Sequence, residues 1–139
     1  MKRILLITED FNEMTFLETL LKKLGFDTMG IQNPTLAQEK AMTMNPEMLI
    51  LSDSIKGQST HQLLEAMVGY RPNMLVILMK SDVRSKTDHV EEFVNKAIKS
   101  PVDPVDFIQS IASVAKLNSD QLLEKFYKLG LFKGIQGQE

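Results

Sequence analysis

Short apolar runs in this 139-residue chain end in residues able to do chemistry. Ile4 to Ile7 is followed by Thr8, Glu9 and Asp10, and Met48 to Leu51 by Ser52 and Asp53. Carboxylates gathered at neighbouring strand ends repel one another unless a cation neutralises them, and an all-oxygen set suits Mg²⁺ or Mn²⁺. A metal held there bridges to a phosphoryl group and offsets its charge as the group passes to a carboxylate nucleophile. One acid at a strand end is ordinary solvated surface, but two buried runs that both end in acids make phosphoryl transfer physically possible. Other chemistries lack their residues. There is no cysteine for thiolate or disulfide chemistry, and no Walker-type glycine loop, GxGxxG or HExxH motif. His61 and His89 are far apart and read as surface or capping residues, and the nine methionines as pliable core filling.

The elements that must position these groups follow from periodicity. Ile4–Ile7, Met48–Leu51 and Leu75–Met79 are continuous apolar runs, the pattern of strands buried on both faces of a parallel sheet. Weaker strands are expected at 26–29 and near Ala97–Ile98. From Asn12 to Leu24, apolar Met14, Leu17, Leu21 and Leu24 recur at helical spacing, and Gly25 supplies the stop. Further helices are expected from Pro34 to Met44, from Thr60 past Met67, and from Val105 to Val114. One more, capped by Ser85 or Thr87, has Val90, Phe93, Val94 and Ala97 as its apolar face. This alternation predicts a flavodoxin-like, doubly wound, five-stranded parallel sheet of order 2-1-3-4-5, with the Rossmann order as competitor. In either order ligands belong at the carboxyl ends of the strands, and in the first order strands one and three are neighbours. A flavin phosphate is disfavoured there, because Glu9 and Asp10 would repel it.

Residues 1–117 thus read as one domain and 118–139 as an extra C-terminal helix with a frayed tail. In that helix Asn118 or Ser119 is the cap and Leu122, Leu123, Phe126 and Leu129 form the stripe. It is expected to pack on the domain, with a dimerisation segment or a linker as the competing readings. A net charge of −2 argues against direct nucleic-acid binding. No apolar run approaches the roughly 20 residues of a membrane span, so a cytoplasmic location is expected.

The segments Ile4 to Asp10, Leu24 to Phe26, Pro46 to Asp53 and Ser100 to Pro104 resemble bacterial two-component response-regulator receiver domains, over residues 2 to about 117. The resemblance implies an acidic pair after the first strand and a phospho-accepting Asp after the third. It further implies a Thr or Ser after the fourth strand and a Lys-Pro pair after the fifth. Two registers compete. In the first, Thr8–Glu9 replaces the acidic pair, Ser52 the acceptor, Lys80 the hydroxyl and Ser100 the lysine. In the second, shifted by one residue, Glu9–Asp10, Asp53, Ser81 and Lys99 hold those places. The first needs no slips at four strand ends and is favoured.

The favoured reading is a pseudo-receiver, not an enzyme and without a cofactor, that signals through phosphorylation-independent contacts with a downstream protein or an output domain. A homodimer is a further option. Lys80 is then expected to pair with Glu9 or Asp53 in place of a metal. The alternative is an active receiver taking phosphate on Asp53 from a histidine kinase or phosphotransfer protein. For that alternative the resemblance implies Mg²⁺ on Glu9, Asp10, Asp53 and the Ile55 carbonyl, with Lys99 and Ser81 on the phosphate. A Mg²⁺-dependent phosphatase on a similar fold is a third reading, for which the sequence offers no substrate pocket.

Overall fold

The apolar runs become the inner strands of one parallel sheet in the computed structural model, which describes residues 3–53, 60–70, 72–80, 93–100 and 102–130. The strands are β1 (Arg3–Ile7), β2 (Asp27–Ile31), β3 (Met48–Ser52), β4 (Leu75–Lys80) and β5 (Lys96–Lys99). They are ordered β2-β1-β3-β4-β5, and every pairing is parallel. The inner strands β1, β3 and β4 are covered on both faces, which is why their sequences are continuously apolar. The edge strands β2 and β5 carry exposed Asp27, Lys96 and Lys99, charges that discourage pairing with another chain.

Alternation along the strands builds two cores. Ile4, Leu6, Met48, Ile50, Ile77, Met79 and Ile98 face one side, under α1 (Phe11–Lys23), α4 (Pro104–Ala115) and α5 (Ser119–Lys128). Leu5, Ile7, Leu49, Leu51, Val76 and Leu78 face the other, under α2 (Pro34–Met44) and α3 (Thr60–Tyr70). Local chemistry sets the helix ends. Asp10, Asn33, Asp103 and Asn118 cap N-termini through side-chain oxygens, satisfying donors the first turn leaves without partners. Gly25 takes φ +103° just after α1, which only glycine adopts without strain.

Two segments differ from the sequence expectation. Strand β2 begins at Asp27 and runs to Ile31, because the Phe26 N–H is used to close α1 on the Leu21 carbonyl, at 3.0 Å. The helix expected to reach Ala97 does not do so. Asn95 already exchanges bonds with Val76, its N–H donating to the Val76 carbonyl and its Oδ1 accepting from the Val76 N–H, both at 2.8 Å. Ala97 lies in β5, while Phe93 and Val94 pack against the second core ahead of it. Residues 81–92, which carry Ser85, Thr87, His89 and Val90, lie outside the described residues.

Two contacts close the α1 side. At Gly30 on edge strand β2, the backbone N–H donates to the Glu18 carboxylate of α1 at 2.5 Å. A Cβ there would stand 2.8 Å from Met14 Cγ and 2.9 Å from Glu18 Oε2. Helix α5 is joined to α4 through Lys116, held in the left-handed region at φ 58°. It inserts Phe126, fully buried, into the core shared by α1 and α4. Next to it, Lys125 Nζ donates to the Leu24 carbonyl at 3.2 Å, placing a cation at the negative end of α1. Residues 131–139 of the tail lie outside the described residues.

Gly30→Val is expected to lower unfolding free energy by about 1–3 kcal/mol through overpacking against Met14 and Glu18, measured by urea denaturation with an unchanged m-value. Phe126→Ala is expected to cost about 3–5 kcal/mol, the range for emptying a buried aromatic site. A loss near zero in the same assay would show α5 to be an appendage.

Candidate functional site

The strand register fixes which residues meet at the carboxyl end of the sheet. Ile7 pairs with Leu51 and Leu51 with Leu78, while Ser52 pairs with Met79 and Met79 with Ile98. Thr8 therefore follows beside Ser52. The ladder goes on one step, with the Asp53 N–H donating to the Met79 carbonyl at 2.9 Å. That places Asp53 next to Lys80, which itself pairs with Lys99.

The two rows differ in burial and in face. Thr8 is 2% exposed and Ser52 7%; by alternation both continue the α1 side, following Leu6 and Ile50. Asp53 and Lys80 are half-buried and continue the opposite side, following Leu51 and Leu78. Lys99 is exposed on the same side as Lys80. Met79, rather than Lys80, thus stands opposite Ser52, and Asp53 rather than Ser52 has the lysine as its neighbour.

The first-strand residues take different tasks. Thr8 N–H donates to the Ile31 carbonyl at 3.2 Å, and its Oγ1 accepts from the Asp10 N–H at 3.3 Å. Glu9, half-buried, has its carbonyl tied to Gln32 Nε2 at 3.2 Å. Asp10 is exposed, and its Oδ1 accepts from the Glu13 N–H at 3.0 Å as the cap of α1. Across the sheet, Ser100 Oγ donates to Glu13 Oε2 at 3.0 Å and ties the segment after β5 to the first turn of α1. An open cavity of about 310 Å³ adjoins this bond, lined by Asp10, Asn12, Glu13, Phe16 and Val102. Ile55, Ser81 and Pro101 lie outside the described residues.

Solved structures share this arrangement. The chain matches a signal receiver domain of an HD domain-containing protein from Pseudomonas fluorescens with a TM-score of 0.76 at 17% identity, over 83% of this chain and 94% of that one. A CheY-like response regulator receiver domain protein from Methanospirillum hungatei gives 0.75 at 18%, over 92% and 98%. A response regulator protein from Thermotoga maritima, in complex with Mg²⁺ and BeF, gives 0.74 at 18%, over 82% and 99%. The fold is the receiver fold. The sheet order expected from sequence is the one observed. No family model matches the chain, and no curated protein matches it in sequence.

For the shifted register the resemblance implies a metal on Glu9, Asp10, Asp53 and the Ile55 carbonyl, the last of which lies outside the described residues. Among them, no group of three or more His, Asp or Glu side chains is placed to hold a metal ion. The capping role of Asp10 was legible in sequence: an Asp followed three residues later by Glu, ahead of an apolar helical stripe, is a capping signal. The Ser100–Glu13 and Lys125–Leu24 bonds had no such signal, since each joins residues 87 and 101 positions apart.

A cap and a metal ligand respond differently to amidation. Asp10→Asn is expected to keep stability within a few tenths of a kcal/mol, while Asp10→Ala loses about 1 kcal/mol. Thermal and urea unfolding of the two variants measures this, and equal losses would remove the capping role.

Proposed function

We propose that this chain is a pseudo-receiver of two-component signalling, a non-enzymatic module that passes its signal through protein contacts without accepting phosphate. The observation that carries this reading is the row Thr8–Ser52. Two buried hydroxyls continue the same face of the sheet, and in the favoured register they take the places where the receiver resemblance implies an acid and the phospho-accepting Asp. A hydroxyl is a far weaker nucleophile than a carboxylate unless a base activates it. The capping role of Asp10 adds support, because it gives one of the acids of the shifted register a structural task. The fitting partner is a downstream protein or an output domain in the bacterial cytoplasm.

One observation favours the second reading, an active receiver. Asp53 is half-buried at the end of β3, beside Lys80 and two strands from Lys99, so a carboxylate acceptor with cations on the neighbouring strands is within the geometry. Its partner would be a histidine kinase or phosphotransfer protein.

Incubation with Mg²⁺ and acetyl phosphate, followed by intact mass and Phos-tag analysis of wild type and Asp53→Ala, separates the two readings. The pseudo-receiver is expected to show no adduct in either protein. A Mg²⁺-dependent adduct on wild type that Asp53→Ala abolishes would replace it with the active receiver.

A further inference from the structure

We propose that the Lys80 ammonium is the resident cation of this crevice and closes it to divalent metal. The inference rests on the pseudo-receiver reading and names what neutralises the acids at the end of the sheet. Its origin is the register. Adjacent strands lie about 5 Å apart, and the ladder step from Ser52–Met79 to Asp53–Lys80 sets a carboxylate and a lysine on neighbouring strands. Both continue the same face of the sheet, following Leu51 and Leu78, and both are half-buried. Their charges therefore act through a medium less polar than water, where attraction between opposite charges is several times stronger than in bulk solvent.

The lysine stem suits the place. It continues the face that carries Val76 and Leu78, so its methylenes can lie along apolar surface while the ammonium reaches past the strand end. Its flexible chain and compact charge let the ammonium settle against whichever carboxylate oxygen lies nearest. On the far side Lys99 pairs with Lys80 and adds a second positive charge to the same row. A divalent ion entering beside Asp53 would meet that carboxylate as attractor and both lysines of the neighbouring strands as repellers. The described residues contain no group of three acids to outweigh the lysines.

Titration calorimetry with MnCl₂ on the full chain tests this, using wild type, Lys80→Met and Asp53→Asn/Lys80→Met. Lys80→Met is expected to bind Mn²⁺ at least about tenfold more tightly than wild type, and the added Asp53→Asn to abolish the gain. Wild type binding as tightly as Lys80→Met, or a folded Lys80→Met with no gain, overturns the inference. If Lys80→Met does not fold in metal-free buffer, restoration by MnCl₂ or by Asp53→Asn supports it, and failure of both overturns it. The acetyl phosphate assay keeps the two conclusions apart. No adduct together with no Mn²⁺ gain removes only the resident cation, whereas an adduct on wild-type Asp53 removes the pseudo-receiver reading itself.

Discussion

Because side chains alternate along a strand, the pairing of Ile7 with Leu51, Leu51 with Leu78 and Leu78 with Ala97 decides every neighbour at the carboxyl end of the sheet. One step beyond that row come Ser52, Met79 and Ile98, with Thr8 following Ile7; the next step brings Asp53 beside Lys80 and Lys99. A slip of one residue in an inner strand would exchange its two apolar sets between the two cores and move its polar end residues to other neighbours. The core on each face therefore locks the register, and the register in turn distributes hydroxyls to one side and charges to the other. The character of the crevice is thus set by packing several residues away from it.

Competition between structural and chemical uses of the same polar residues runs through the site. Asp10 directly follows the first strand's polar end, yet its carboxylate satisfies an N–H at the start of α1, because a helix entering from a short loop leaves its first donors without partners. Thr8 is drawn into the same turn through the Asp10 N–H. Glu13, one turn into the helix, instead reaches across to Ser100. The first turn of α1 is therefore tied both to β1 and to the segment after β5, and it forms a fixed wall of the adjoining cavity.

The sheet edges and the added helix are handled by single well-placed groups. Gly30 lets α1 approach β2 closely enough for Glu18 to take a backbone N–H of that edge strand, which places a charge where another chain would otherwise pair. Helix α5 adds an aromatic anchor and a cation at the end of α1. Its seat lies on the side of the sheet that Thr8 and Ser52 continue, opposite α2 and α3. Among the described residues no helix is long and apolar enough to cross a membrane.

What the sequence by itself determined was everything governed by local periodicity and short-range caps. The buried runs 4–7, 48–51 and 75–79, the helices opening at Pro34 and after Asn118, and the stop at Gly25 all follow from neighbours a few positions apart. Those runs also named the strand ends where chemistry belongs, and their alternation with helices predicted the sheet order. Tertiary structure decided the rest. The helix expected to reach Ala97 gave way to β5 because a ladder with Val76 claims the backbone from Asn95 onward. Which residues stand beside one another at the strand ends could not be read from spacing, since shifting every strand end by one residue leaves all spacings equal. Only the inter-strand hydrogen bonds, which join residues distant in the chain, decide the neighbours, and they set Ser52 beside Met79 and Asp53 beside Lys80.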